Sequence, residues 1–470
     1  MKLFVIRRMF AALCHLLTAL CLLFLWPTVN AQPLLFENAT LIVGDGSVIE
    51  GANLLVEDGL IAGVGDVPEL SIDDDVARID LSGKVILPAF IDAHAHLGFQ
   101  SPHGWGSEFY TRENLLSNLQ QYAYYGFSAV FSAGSDPDAL ALALQSELPE
   151  LNAQGISAAR FLFAIGMGPP GQGPNDAFLV ETAEVEARTG MTILRGVTGP
   201  VQAIERAREV AELGIPFIKI WVDDRGGSQD KLAPESYLPL IAEGMRQRLK
   251  VFVHQQAASD MLPLIEAGVS GFLHGRLGPD LDTSVAAALA RERVFTVPNL
   301  GLAELRREAL AEDEFLLPIL TESARTRLGV ANQQRQLNPQ RDSGREAMTA
   351  ESLQRLLNAS ADIVLGTDAG ALPDHPFGYT GHRELEIFVR LGMSPMQAIV
   401  AATGLAASHL GQQDLGTLEP GKRADLLVLD ANPLEDIRNT RAINSVYLGG
   451  RRVDRDAIAA QLSVEPSTEQ

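Results

Sequence analysis

Val85-Ile-Leu-Pro-Ala-Phe-Ile-Asp-Ala-His-Ala-His96 is the stretch on which the reading of this chain turns. It is apolar until Asp92, as a strand buried on both faces must be, and it ends on two histidines one residue apart. Along a strand, residues i and i+2 face the same way, so both imidazoles can converge on one ion. One such pair is weak evidence; the question is whether other apolar runs end on ligands too.

They do. Ala129-Val-Phe-Ser, Phe161-Leu-Phe-Ala-Ile, Phe217-Ile-Lys-Ile-Trp-Val, Val251-Phe-Val-His, Gly271-Phe-Leu-His, Phe295-Thr-Val-Pro-Asn and Asp362-Ile-Val-Leu-Gly-Thr-Asp follow in order, with amphipathic helical material between them. Eight apolar strands alternating with helices predict an α/β fold, a (β/α)8 TIM barrel over residues 85–412. A doubly wound open sheet fits less well, because no Gly-rich turn opens the first βα unit. His254 closes the fifth strand, His274 the sixth and Asp368 the eighth. The C-terminal rim of a parallel barrel is where such residues share a site. Alone, each histidine reads as a hydrogen-bonded structural residue, and Asp368 as a loop cap before Gly370. Together they predict a metal site.

Lys219 lies in the most apolar of these strands. Lysine is almost never buried without a partner, and a buried amine has its pKa lowered. A neutral amine can take up carbon dioxide as a carbamate, an anionic oxygen ligand able to bridge two metals. The alternative is a lysine reaching from the strand end to Asp223 or Asp224. Position alone leaves both open.

The flanks differ in style. Residues 32–84 read as short strands and tight turns, and the same style returns over 413–456. The economical interpretation is one small β-sandwich built from both chain ends. A long helical insertion is expected from Leu302 to Leu357, and a disordered tail over 457–470. Residues 1–31 read as an export signal: Lys2, Arg7 and Arg8, an apolar run from Met9 to Trp26, then Val29-Asn-Ala31. A periplasmic or secreted location follows, with no stable membrane insertion after cleavage; an uncleaved membrane anchor is the alternative. Both cysteines, Cys14 and Cys21, fall inside this segment, which excludes thiolate ligands and disulfides from the mature chain. Removing its three basic residues from 37 leaves 34 against 59 acidic ones, a net charge of −25. Nucleic acid and anionic membrane are therefore not expected as partners, and the acidic surface, which mostly serves solubility, carries no substrate inference.

LPAFIDAHAH (87–96), FIKIWVDD (217–224), VFVH, FLHG, LGTDAG and the closing GTLEPGKRADLLVLDANPLEDI (416–437) resemble the metal-dependent amidohydrolase superfamily. The resemblance spans about Leu34 to Val453. It is nearest to the branch related to imidazolonepropionase and to binuclear Xaa-Pro or Xaa-Arg dipeptidases. It implies two divalent metal ions, with zinc suited to a His-rich set and iron, cobalt or manganese as alternatives. His94, His96 and Asp368 would hold the more buried ion and His254 and His274 the more exposed one. Lys219, carboxylated with carbon dioxide, would bridge them. The implied catalysis uses a metal-activated hydroxide to cleave a C–N bond (amide, peptide or cyclic amide) of a small-molecule substrate, with Asp368 moving the proton.

Substrate contacts are less legible. Tyr237, Arg276 and His382 are candidates for a substrate carboxylate; each also reads as packing, a surface ion pair or a helix start. The loop Gly166-Met-Gly-Pro-Pro-Gly-Gln-Gly-Pro174 has no histidine or arginine, which departs from the dipeptidase pattern and favours a more apolar mouth with Trp105 and Phe109. A deaminase or lactonase on the same barrel, or a noncatalytic binding barrel, are the competing functions. Homo-oligomerisation rests on analogy with other barrels alone.

Overall fold

Two parallel sheets occupy the centre of the chain in the computed structural model, which describes residues 32–66, 76–274, 277–278, 281–304, 309–334 and 343–465. One sheet pairs Phe90–Ala95, Phe127–Ser132 and Arg160–Phe163. The other runs, in spatial order, Leu194–Gly196, Ile165–Gly168, Phe217–Val222, Lys250–Gln255, Gly271–Leu273 and Phe295–Val297. The expected third strand is therefore split at Ala164, whose N–H still donates to Ser132 O at 3.1 Å. The expected eighth strand belongs to neither sheet. Its residues instead make isolated parallel bridges, Ile363 to Thr296 and Ala369 to Ala95, and Leu365 O accepts from Ala93 N at 3.0 Å. In place of the single eight-stranded ring expected from sequence, the central strands form two separate parallel sheets, linked by isolated bridges and single hydrogen bonds.

These strands are apolar throughout because both faces are covered. Ile91, Phe131, Leu162, Phe217, Phe252 and Phe295 pack together on one side, while the helices cover the other. Phe131, Phe217 and Phe252 stand with ring centroids 5.2–5.6 Å apart, a close aromatic floor. Lys219 and His254 lie two residues beyond Phe217 and Phe252, so the strand alternation sets them on the floor's side, one layer nearer the C-terminal ends.

Both chain ends meet in one eight-stranded mixed sheet. Its path runs from Arg451–Arg452 through Ile443–Leu448, Leu426–Leu429, Val85–Pro88, Leu34–Ile42 and Val48–Glu57 to Leu60–Gly65, with Ala77–Asp80 beside Leu34–Ile42. Phe36, Leu54, Ile86, Leu426 and Tyr447 share its core. Val85–Pro88 belongs here rather than to the first central strand. The chain breaks at Ala89, and Phe90–Ala95 starts afresh beside Phe127–Ser132. The insertion before residue 362 is helical in pieces, chiefly Glu322–Gln334 and Ser343–Asn358.

The tail departs from expectation. Arg455–Leu462 is a helix, capped by the Asp454 side chain accepting from Ala457 N, and it buries Ile458 and Leu462 one turn apart. That apolar pair outweighs the polar look of the segment. Among the described residues no helix is long and apolar enough to cross a membrane. The expected export signal and residues 466–470 lie outside the described residues.

Candidate metal centre

Asp368 is the hub. Its Oδ1 lies 3.4 Å from His94 Nε2 and 3.2 Å from His96 Nε2, and its Oδ2 lies 3.3 Å from His274 Nε2. Donor atoms of His94, His274 and Asp368 all fall within 4.8 Å of one another. The His254 ring joins them edge-on to His274, centroids 4.8 Å apart. Lys219 is buried in the adjacent strand, its Nζ 5.9 Å from the Trp221 ring centroid. Asp223 and Asp224, its alternative partners, are engaged elsewhere: Asp223 with His254 and Arg225, Asp224 with Gly226 N. Among the described residues no ion pair joins Lys219 to either.

Two atoms carry the case for a cation. His94 Nε2 and Asp368 Oδ1 are buried and face each other, yet neither has a hydrogen-bond partner. Buried polar atoms are nearly always satisfied, and an ion between them would satisfy both. Protonation agrees. Burial, reinforced by Lys219, pushes His94 well below the usual imidazole range; burial and then His274 do the same for His254. Burial brings His274 down to about 4 against the pull of Asp368. Burial opposes the Asp368 charge, but His274 and His94 outweigh it and hold the carboxyl well below its ordinary value. Neutral imidazoles around one carboxylate are the donor set a divalent cation requires. Burial likewise drives the Lys219 amine well below its ordinary value, with Asp368 partly opposing.

The supports were not foreseen from sequence. Asp92, fully buried, accepts from His94 N, Thr367 N, Thr367 Oγ1 and Tyr122 OH at 2.6–3.1 Å, binding the segment of Asp368 to that of His94. Asn299 Oδ1 is 3.1 Å from His94 Nδ1, and Ser135 Oγ is 2.9 Å from His96 Nδ1. Asn299 lies two residues past strand Phe295–Val297, in a segment whose sequence was read only for its apolar run. His274, Asn299 and Asp368 all have left-handed backbones, φ 73°, 50° and 60°, unusual for non-glycine residues and common at functional sites. Gly370, φ 88°, brings the loop against strand Phe90–Ala95's end: a Cβ there would lie 1.9 Å from His96 O. Gly370→Ala is therefore expected to displace His96 and lower the unfolding midpoint, with a loss of about 1–3 kcal/mol in a chemical denaturation.

The sequence-predicted substrate residues scatter. Tyr237 is buried in the hydrophobic core on helix Pro234–Arg246. Arg276 lies outside the described residues. His382 is fully buried, with Nε2 2.8 Å from Tyr125 O and Nδ1 3.1 Å from Thr440 Oγ1. With both nitrogens engaged and Phe90, Phe127 and Phe315 around it, it has no donor left for a substrate. This corrects its assignment to substrate binding: the helix Tyr379–Arg390 turns that face into the core. Trp105, expected at the mouth, donates to Gly370 O at 2.7 Å, and Phe178 packs on His96 at 5.2 Å.

Parallel strands delivering histidines, a carboxylate and a buried lysine to one end define an α/β protein with a candidate metal centre. Residues 303–453 match the amidohydrolase family. The chain is 26% identical over 405 residues to imidazolonepropionase from Salinispora arenicola (strain CNS-205), covering 83% of this chain and 88% of that one. It is 25% identical over 452 residues to ochratoxinase from Aspergillus niger, covering 90% and 87%. A solved Xaa-Pro dipeptidase with bound methionine in the active site superposes with a TM-score of 0.67 at 22% identity, covering 90% and 99%, a likeness of fold. The match to the amidohydrolase family is thus confined to the C-terminal third of the chain, while the full-length likenesses include imidazolonepropionases.

Proposed function

We propose that this protein is a metal-dependent hydrolase of C–N bonds in small substrates, built on a closed (β/α)8 barrel with two divalent ions at its C-terminal rim. The observation that carries this reading is the facing pair His94 Nε2 and Asp368 Oδ1, buried and without hydrogen-bond partners. The relatives support the bond class: imidazolonepropionase, ochratoxinase and the dipeptidase are amidohydrolases acting on C–N bonds. The hydrogen bonds of residues 363–369 to both sheets support closure of the barrel.

His94, His96 and Asp368 would hold one ion, His254 and His274 the other, and Lys219 would join them as a carbamate formed with carbon dioxide. The ions, zinc in this reading, would supply an activated water and a Lewis acid for the carbonyl. The chain's own share is proton handling and shielding. Asp368 is ionised and can take a proton from the attacking water and give it to the leaving nitrogen. Phe178 packs on His96 and Trp105 on Phe178, and these rings would shield that side of the site from bulk water. Export through residues 1–31 completes the proposal.

The test is turnover of the metal-loaded protein on N-acyl amino acids, dipeptides and lactones side by side. Amide hydrolysis that is lost on chelation and restored by Zn2+ is expected. Full turnover after complete metal removal, or hydrolysis confined to lactones, contradicts the reading.

A further inference from the structure

His254 is held differently from the other histidines. His94 and His96 commit Nδ1 to Asn299 and Ser135 and turn Nε2 toward Asp368, and His274 also presents Nε2. His254 does the reverse: its Nε2 lies 3.0 Å from Asp223 Oδ2. The same carboxylate oxygen is 3.2 Å from Arg225 Nη1, and Asp223 Oδ1 accepts from Arg225 N at 3.1 Å. Arg225 has a left-handed backbone, φ 54°, and its Nε and Nη2 donate to Gly173 O at 3.2 and 2.8 Å. The aspartate is thus clamped from two sides, by its own turn and by a guanidinium tied to the neighbouring loop.

We infer that Asp223, braced by Arg225, is a positioning residue that fixes His254 with its proton on Nε2 and its Nδ1 lone pair toward the second metal position. The inference rests on the metal-centre reading above. A guanidinium already sits on the Asp223 side of the ring, so a second cation is repelled from that side, and the Nδ1 side is the one left. A carboxylate hydrogen-bonded to the far nitrogen of a metal-binding imidazole also raises its donor strength. Asp223 is the only carboxylate among the described partners of these ring nitrogens outside the hub itself. The His254 position is therefore electronically distinct from those of His94 and His96, which have neutral partners.

Titrating the metal-free protein with Co2+, followed by its visible absorption, tests this without any substrate. Asp223→Ala is expected to weaken one of two Co2+ sites by about 10–100-fold while sparing the other. Asp223→Asn, isosteric and still able to accept a hydrogen bond, is expected to weaken it less; its thermal unfolding serves as the control for folding and it stands in if the alanine variant does not fold. A purely structural role would lower the midpoint without moving Co2+ affinity. Both variants binding two Co2+ ions as tightly as the wild type overturns the inference alone. A wild type that binds no Co2+ overturns it together with the metal-centre reading.

Discussion

Asp368→Asn is expected to lower kcat/KM by about 10²–10⁴-fold with metals in excess. The size of the effect follows from the geometry. Among the described residues Asp368 is the one carboxylate that reaches three imidazoles, and its two oxygens divide between His94/His96 and His274. The amide keeps the shape and one acceptor oxygen but loses the charge, so binding of cations weakens and no group remains to carry the proton. The backbone at 368 is already left-handed, a conformation asparagine tolerates, so the fold should survive. Steady-state kinetics with the best amide substrate reads the outcome. Activity within tenfold of the wild type would remove Asp368 from the chemistry.

The second large effect is expected at Lys219 and has two opposite signs. Lys219→Met should abolish turnover to within detection, a loss on the order of 10³-fold or more for a principal electrostatic partner of the reaction. The same change should stabilise the metal-free protein. The amine is buried, has no carboxylate partner among the described residues, and is held well below its ordinary pKa, first by burial. Between the depressed folded value and the unfolded value of about 10.4, the unfolded chain binds the extra proton. Wild-type stability therefore rises with pH through that window, and the methionine variant should lack that slope. Thermal unfolding of both proteins from pH 6 to 10 gives the comparison. Parallel curves would mean that Lys219 is paired and charged. Gly134 and Gly166 leave the room this side chain occupies: a Cβ at Gly134 would lie 2.9 Å from Lys219 Cβ, and one at Gly166 2.3 Å from Gly134 O.

Much of the site is written locally. A histidine or aspartate at the end of an apolar run is a one-dimensional signal, so His94, His96, His254, His274 and Asp368 of the candidate site stand out by position, and Lys219 by lying inside the apolar strand Phe217–Val222. What holds them is written across the chain. Asn299 supports His94 from 205 residues away, and Asp92 fastens Thr367 across 275. Such pairings need the strand order before they can be seen. Asp223 was visible as a carboxylate after Lys219, but its partner is His254, one strand over, because the two strands pair in register. His382 failed for the converse reason. Its sequence setting, beside an arginine after the last strand, resembles a rim position, and only the helix orientation reveals that it faces Phe90 and Phe127. The strand boundary at Ala89 was hidden because the residues on both sides of it, Val85–Pro88 and Phe90-Ile91, are apolar. One is buried in the mixed sheet and the other beneath the site.

Metal content is the most direct measure of the account. Elemental analysis of the purified chain, dialysed free of loose ions, should give about two divalent ions per chain in the wild type and fewer in Lys219→Met. A wild type that holds none after loading with Zn2+, Co2+, Mn2+ or Fe2+ would contradict the metal centre and the hydrolase built on it.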